Sequence, residues 1–448
     1  MLTDDFFTIA KDNFLCNTSY PLDKYNWNEY KTTNNVDIFN SEHDFNFYIH
    51  IPFCEKLCTF CEYIKYPKNG IEKEKEYLRI LKRDIYKFIE EHSPIQLYGF
   101  DIGGGTPTVL YDDIFSELMD FCKSIIDSIS KVKDMEPSIE ATFNTITEKK
   151  AKKIFKSGFR RISLGIQTRN SSFLKKSNRA DLEDSSIIEK CKMLKDVGIE
   201  KINIDLMYGL EKQTYDDIKE TLKLIEMINP EQVTLYEIRY NLLNKKIDIN
   251  REHLYNQYLF FYDNLIKMGY YARLGQNTFS KNKQDFGLSS YLRYRMIDNV
   301  SYKGFGIAAQ SKSKIGISYN VGKNRKKLDD CLNFNSFGEE DTYLLPKEEL
   351  LAKYIAISMY YGMFKISVMQ DILKADPLDV YGTEFEFLKN NKYIEMKGDN
   401  VFLTETGFKF YGAIGALFYS NKVKKWLLDK NNVWGNRIIR KKNKNKKL

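Results

Sequence analysis

From residue 45 onward the chain alternates two patterns. Short runs of apolar, β-branched and aromatic residues give way to longer stretches whose apolar positions recur every three or four residues. The short runs predict strands at Phe45–Ile51, Gln96–Ile102, Ser138–Phe143, Arg161–Ile166, Lys201–Met207 and Gln232–Ile238. The stretches between them predict helices near 72–92, 111–129, 147–157, 183–197 and 214–228. Strands alternating with helices of this length indicate βαβ units around a parallel sheet. The fold class expected is therefore α/β, an incomplete (βα)6 TIM-like barrel over residues 45–321. In such barrels the chemistry sits in the loops that follow the strands.

Beyond residue 345 the pattern changes. It predicts helices Lys347–Met363, Ile366–Leu373 and Pro377–Asn390, short strands Tyr393–Met396 and Val401–Leu403, and a helix Glu405–Phe418. Helices followed by a small β-wing resemble a helical, winged-helix-like C-terminal domain over 346–432. The polar stretch 322–345 is expected to be a linker, 1–44 an N-terminal extension and 433–448 a basic tail.

Composition narrows the class. Of 448 residues, 43% are hydrophobic and 29% charged, as in soluble globular proteins. No run approaches the roughly 18 to 20 apolar residues of a membrane span. The first residues, Met-Leu-Thr-Asp-Asp, are acidic, and the apolar stretch after them is too short for a signal peptide, so a cytoplasmic location without membrane contact is expected. Part of the net charge of +8 lies in the tail Arg440-Lys-Lys-Asn-Lys-Asn-Lys-Lys-Leu448. Such a run reads as a solvated end, and nucleic-acid binding is not expected.

Candidate chemistry starts in the loop after the first strand, at Tyr48-Ile-His-Ile-Pro-Phe-Cys54-Glu-Lys-Leu-Cys58-Thr-Phe-Cys61. Thiolates hold iron–sulfur clusters, and a cubane has four irons to ligate. Three close thiolates with no fourth nearby leave one iron open, as catalytic zinc sites keep a position free. An open iron is what S-adenosylmethionine (SAM) needs in order to bind on the cluster and be cleaved reductively. A structural zinc site is the alternative, but it wants four ligands and a second pair downstream. Cys16, Cys122, Cys191 and Cys331 are scattered singly, and only His43 and His50 lie nearby. His50 falls on the alternating apolar run and reads equally well as a packed residue. Seven cysteines, an odd number, argue against a disulfide framework.

Gly103-Gly-Gly-Thr-Pro107 follows the second strand. Glycines let the backbone approach a ligand and adopt positive φ, so free N–H groups are expected there for a zwitterionic amino acid. Glu140 closes the third strand, Gln167 ends the fourth, Arg179 follows in the loop and Asp205 lies in the fifth. A charged residue in an apolar strand needs a partner or a ligand. These residues suit the hydroxyls, ammonium and carboxylate of SAM, and an internal salt bridge remains open for them.

At this point the chain resembles the radical SAM superfamily, and within it the oxygen-independent coproporphyrinogen III oxidase-like group. The residues carrying the resemblance are Tyr48–Cys54, Gly103-Gly-Gly-Thr-Pro-Thr108, Ile204-Asp-Leu-Met-Tyr-Gly-Leu-Glu-Lys-Gln-Thr214 and Gly304-Phe-Gly-Ile-Ala308. Asn17-Thr-Ser-Tyr-Pro21 is similar to an N-terminal motif of the oxidase, and Leu403-Thr-Glu-Thr-Gly407 to the group's appended domain. The resemblance implies a radical SAM barrel in which Cys54, Cys58 and Cys61 ligate a [4Fe–4S] cluster whose open iron chelates SAM. Tyr48 and Phe60 would line that site, and Gly104, Gly105 and Thr106 would contact the methionine moiety. Glu140, Gln167, Arg179 and Asp205 would fix the rest of SAM. A second SAM would meet Arg239 and Gln310.

One departure bears on the reaction. The coproporphyrinogen oxidases carry a further cysteine two residues after the third ligand, where this chain has Tyr63. The reaction expected first is therefore methyl or methylene transfer with two SAM molecules, through a 5′-deoxyadenosyl radical. Oxidative decarboxylation of coproporphyrinogen III is the second expectation, and a heme-binding chaperone without turnover the third. The partners implied are a small-molecule substrate and a reductant such as flavodoxin or ferredoxin.

Overall fold

Six parallel strands form the centre of one large sheet: β1 (Asp44–Ile51), β2 (Gln96–Gly104), β3 (Ser138–Ala141), β4 (Arg161–Gln167), β5 (Lys201–Tyr208) and β6 (Gln232–Glu237). The computed structural model describes residues 3–11, 27–32, 36–68, 70–238, 250–324 and 326–428. The six strands lie side by side in chain order, each paired in parallel with the next. The barrel predicted from alternation is present.

The register shows why a cavity forms inside it. One row across the sheet pairs Ile49 with Ile102, Ile102 with Ile139, Ile139 with Ile162 and Ile162 with Ile202. These isoleucines are at most 1% exposed, on the face covered by helices such as Ile71–His92 and Asp112–Ser128. The neighbouring rows carry Tyr48 beside Asp101, Glu140 beside Ser163, and Gly165 beside Asp205. Successive residues point to opposite faces, so the inner face of this barrel is polar. Barrel interiors of this fold are ordinarily filled by branched apolar side chains. Here polar groups line a lumen in their place.

The sheet continues past both edges. On one side β7 (Thr278–Ser280) runs antiparallel to β6. On the other, β8 (Tyr302–Phe305) pairs in parallel with β1, followed by antiparallel β9 (Gln310–Lys312), β10 (Gly316–Asn320) and β11 (Glu339–Leu344). Helix Ser290–Met296 lies against β2, where Gly99 has no side chain to keep it away: a Cβ there would come within 2.3 Å of the Tyr291 backbone.

Residues 322–345, expected as a linker, hold helix Leu328–Leu332 and edge strand β11. An edge strand pairs on one side only and so tolerates the charged run that suggested a linker. The helix expected at Lys347–Met363 stops at Ser358, and after a short turn Gly362 adopts φ +76° and the chain enters strand Met363–Lys365. That strand joins Asn400–Leu403 and Ile394–Lys397 in a three-stranded antiparallel sheet. The helix expected at Glu405–Phe418 is two, Glu405–Lys409 and Tyr411–Leu417. Helix Thr3–Ala10 joins this part of the fold, with the Phe7 ring 5.1 Å from those of Phe387 and Tyr393. No helix among the described residues is long and apolar enough to cross a membrane.

Candidate functional site

A cavity of about 1180 Å³ opens at the C-terminal ends of the strands. It gathers Tyr48, Cys54, Cys58, Phe60 and Cys61 with Gly104, Gly105, Thr106, Glu140, Gln167, Arg179, Asp205 and Gln310. The site residues expected from sequence therefore meet in one place, with one exception: Arg239 lies outside the described residues. So does the motif Asn17–Pro21.

The cysteine loop is seated by the glycine run. Gly105 N–H donates to Ile51 O at 2.8 Å and Thr106 N–H to Phe53 O at 2.7 Å. A Cβ on Gly105 would stand 2.6 Å from Phe53 O, and one on Gly104, at φ +111°, 2.5 Å from the His50 ring. Only glycine allows this approach. The expectation of free N–H groups here is corrected, because Gly104 N–H is also engaged, donating to the Glu140 carboxylate at 3.1 Å. The run brings the cysteine loop close and leaves ligand contact to side chains and carbonyl oxygens.

Cys54 is buried and Cys58 and Cys61 are partly accessible. Thr106 Oγ1 donates to Cys54 Sγ at 3.8 Å, and Arg179 Nη1 to Cys58 Sγ at 3.9 Å. Among the described residues no three ligating side chains converge on a point that would hold a single metal ion. A cluster presents a separate iron to each thiolate, so thiols spread along one loop, with donors directed at two of their sulfurs, fit it. His50 is a packed residue, its Nε2 2.9 Å from Ile64 O, and burial pulls its pKa down to about 4.

The remaining expected residues are wired to the barrel. Arg179 also donates to Gly165 O, in space that glycine leaves open: a Cβ there would lie 2.8 Å from the guanidinium. Asp205 accepts from Ser163 Oγ at 3.1 Å and Asn203 Nδ2 at 2.8 Å. Burial pushes its pKa up to about 6, against the charge of Arg161. Glu140 opens onto the lumen but is walled by protein, and burial, then the charge of Asp205, raises it to about 7. The internal salt bridge left open for Glu140 and Asp205 is not formed among the described residues; their partners are neutral donors. Gln310 Oε1 accepts from Tyr302, and its Nε2 donates to Tyr319 at 2.7 Å. Phe60 stacks on Phe173 at 6.1 Å.

The cavity also contains residues that sequence reasoning missed. Asp101, inner neighbour of Tyr48, accepts from Ser289 Oγ at 2.6 Å, while its Oδ1 is buried without a partner. Burial pushes its pKa up to about 7. Its signal was a lone acid in the strand directly before the glycine run. Tyr291 and Arg295 come from helix Ser290–Met296, where no motif marks them.

Comparison with known proteins gives a consistent answer. Residues 48–225 match the family model of the Radical SAM superfamily. The chain is 27% identical over 327 residues to the heme chaperone HemW of Bacillus subtilis, covering 71% of this chain and 83% of that protein. It is 31% identical over 195 residues to the oxygen-independent coproporphyrinogen III oxidase of Escherichia coli, covering 44% of this chain and 42% of that enzyme. The solved coproporphyrinogen III oxidase (HemN) from Escherichia coli, a radical SAM enzyme, superposes with a TM-score of 0.68 at 21% identity. That superposition spans 85% of this chain and 91% of the other, and it is a likeness of fold.

Proposed function

Because the chain belongs to the radical SAM superfamily, in its coproporphyrinogen oxidase-like group, we propose that it binds a [4Fe–4S] cluster and SAM and takes up heme or a related tetrapyrrole as a heme chaperone does. One observation carries the reading. The cavity that joins the three cysteines to Glu140 and Asp205 runs on without interruption to Tyr291, Arg295 and Tyr302. At about 1180 Å³ it exceeds the roughly 300 to 1,000 Å³ usual for a single small ligand. The cluster and SAM share that space, and its continuation past them to Arg295 is where a further guest would lie.

In this reading Cys54, Cys58 and Cys61 hold the cluster. The chemistry it supplies when bound is one-electron reductive cleavage of SAM. Asp205, fixed by Ser163 and Asn203, would accept from ribose hydroxyls, and Glu140 would accept from the ammonium group. Arg179, with its guanidinium beside Cys58, would pair with the SAM carboxylate. Tyr48, Phe60 and Gln167 wall the same space and exclude water. The electron comes from a low-potential donor such as flavodoxin or ferredoxin, in a reducing cytoplasm.

The relatives favour heme handling over the methyl transfer expected first. Gln310, expected at a second SAM, is instead held between Tyr302 and Tyr319. Coproporphyrinogen oxidation is the second reading, favoured by the continuity of the large guest space with the SAM residues and opposed by Tyr63 in place of the further cysteine.

The test uses anaerobically reconstituted full-length protein, reduced with dithionite and given SAM, with heme or coproporphyrinogen III. Heme binding, with no 5′-deoxyadenosine formed from SAM when coproporphyrinogen is present, supports the chaperone reading. Decarboxylated porphyrinogen with stoichiometric 5′-deoxyadenosine establishes the oxidase instead. S-adenosylhomocysteine appearing together with 5′-deoxyadenosine would return methyl transfer to the front.

A further inference from the structure

We propose that Arg295 is the carboxylate anchor of the guest space, holding an acidic side arm of the bound tetrapyrrole; this rests on the function proposed above. Arg295 lines the cavity from helix Ser290–Met296. Its Nη1 donates to Tyr291 Oη at 3.0 Å, and its Nε is buried with no hydrogen-bond partner. Its guanidinium carbon lies 4.3 Å from the centre of the Tyr302 ring and 5.5 Å from that of Tyr291. Among the described residues it forms no ion pair with a carboxylate; Tyr291, Tyr302 and Tyr63 are the groups that favour its charge.

An arginine cannot relieve this situation by losing its proton, because it stays charged at any pH a protein experiences. An unpaired charge withdrawn from water is unfavourable unless an anion joins it. The surroundings sharpen the demand. Lys312 and Lys353, both buried, lie near enough to feel the charge of Arg295, and each has its pKa lowered, by burial first. Glu42 is the acid that acts on Lys312. Burial thus favours the neutral form of both lysines, and Arg295 is left as the fixed positive charge of this wall.

That combination defines the ligand chemistry. Tyr291, stacked on Tyr48 with ring centres 5.7 Å apart, and Tyr302 are almost fully buried, so they hold the guanidinium in place and leave the guest to meet its edge. A stacked guanidinium keeps its edge free for a bidentate carboxylate. A tetrapyrrole bearing carboxylate arms supplies that partner. The other carboxylate that could reach the cavity is that of SAM. Arg179, beside Cys58, already serves that position in the proposed function.

The experiment measures binding to the reconstituted protein of three probes: heme, heme dimethyl ester and SAM. In the unaltered protein heme should bind roughly ten- to a hundredfold more tightly than its ester, the range expected for a charge-assisted pair. Arg295→Met should bring that ratio close to one, Arg295→Lys should keep part of it, and both should bind SAM unchanged. SAM binding also reports that the variants are folded. An Arg295→Met protein that retains the preference for free acid over ester overturns the anchor while leaving heme uptake intact. Loss of SAM binding in Arg295→Met and Arg295→Lys with the heme preference intact assigns the residue to SAM and likewise overturns it. If the unaltered protein binds neither porphyrin, the proposed function falls and the anchor falls with it.

Discussion

Around the cysteine loop, the polar side chains that face the cavity already hold protein partners. Glu140 accepts from Gly104, Asp205 from Ser163 and Asn203, and Arg179 donates to Gly165 and Cys58. Along helix Ser290–Met296 the bonding is incomplete: Arg295 Nε and the nearby Asp101 Oδ1 are buried and unpartnered. Buried polar groups are ordinarily hydrogen-bonded. A region with its partners in place is set for one fixed cofactor geometry, whereas a region with open valences waits for its guest to complete it. The two halves of one cavity therefore differ in how far they are organised before anything binds.

The comparison breaks most sharply at the cluster. Replacing Cys58 with alanine should abolish the broad visible absorbance of a reconstituted iron–sulfur protein, and with it SAM binding. Absorbance equal to that of the unaltered protein would remove Cys58 from the ligand set and leave the cysteine half without its organising cofactor. Next in size, Asp205→Asn keeps the shape but removes the charge that Ser163 and Asn203 steady. SAM affinity should fall roughly ten- to a hundredfold by equilibrium dialysis, with heme affinity unaltered. A parallel loss of heme affinity would show that the halves are not separable.

A smaller effect is expected from Gly105→Ala. The added methyl would stand 2.6 Å from Phe53 O, a backbone atom that cannot swing aside. Overpacking of this kind destabilises by about 1–3 kcal/mol, read from urea unfolding, and should lower cluster occupancy by displacing the cysteine loop. Unchanged stability and occupancy would mean that the loop is not seated by this contact.

Much of the preorganised half was legible in the chain, and little of the open half. The six central strands follow from runs such as Gln96–Ile102 because the outer face of each is apolar and the spacing between them fits a helix. The cysteines, the glycine run and Asp205 announce themselves by residue type and position. What the glycines do was not legible, since it depends on Phe53 and His50 meeting them across two strands. Arg295 was illegible for another reason. Its helix is seven residues long and packs at Gly99, nearly two hundred positions earlier in the chain, so no local pattern marks it. Strand β11 hid because an edge strand needs no apolar face.

The smallest effect expected concerns Asp101, and it joins the two halves. Its folded pKa of about 7 stands above the ordinary 3.8 because burial disfavours the charged form. Between those values the folded protein keeps a proton that the unfolded chain has lost, so stability falls as pH rises through that window and levels off above it. Glu140 and Asp205, raised to about 7 and about 6, act with the same sign. Asp101→Asn should therefore make the fall in stability shallower without abolishing it, as measured by urea unfolding across that pH range. Parallel profiles for the variant and the unaltered protein would show that Asp101 titrates alike in the folded and unfolded states. The arginine that acts on Asp101 is Arg161, and no carboxylate acts on Arg295, so the Arg295 charge is left for a guest whatever the state of Asp101.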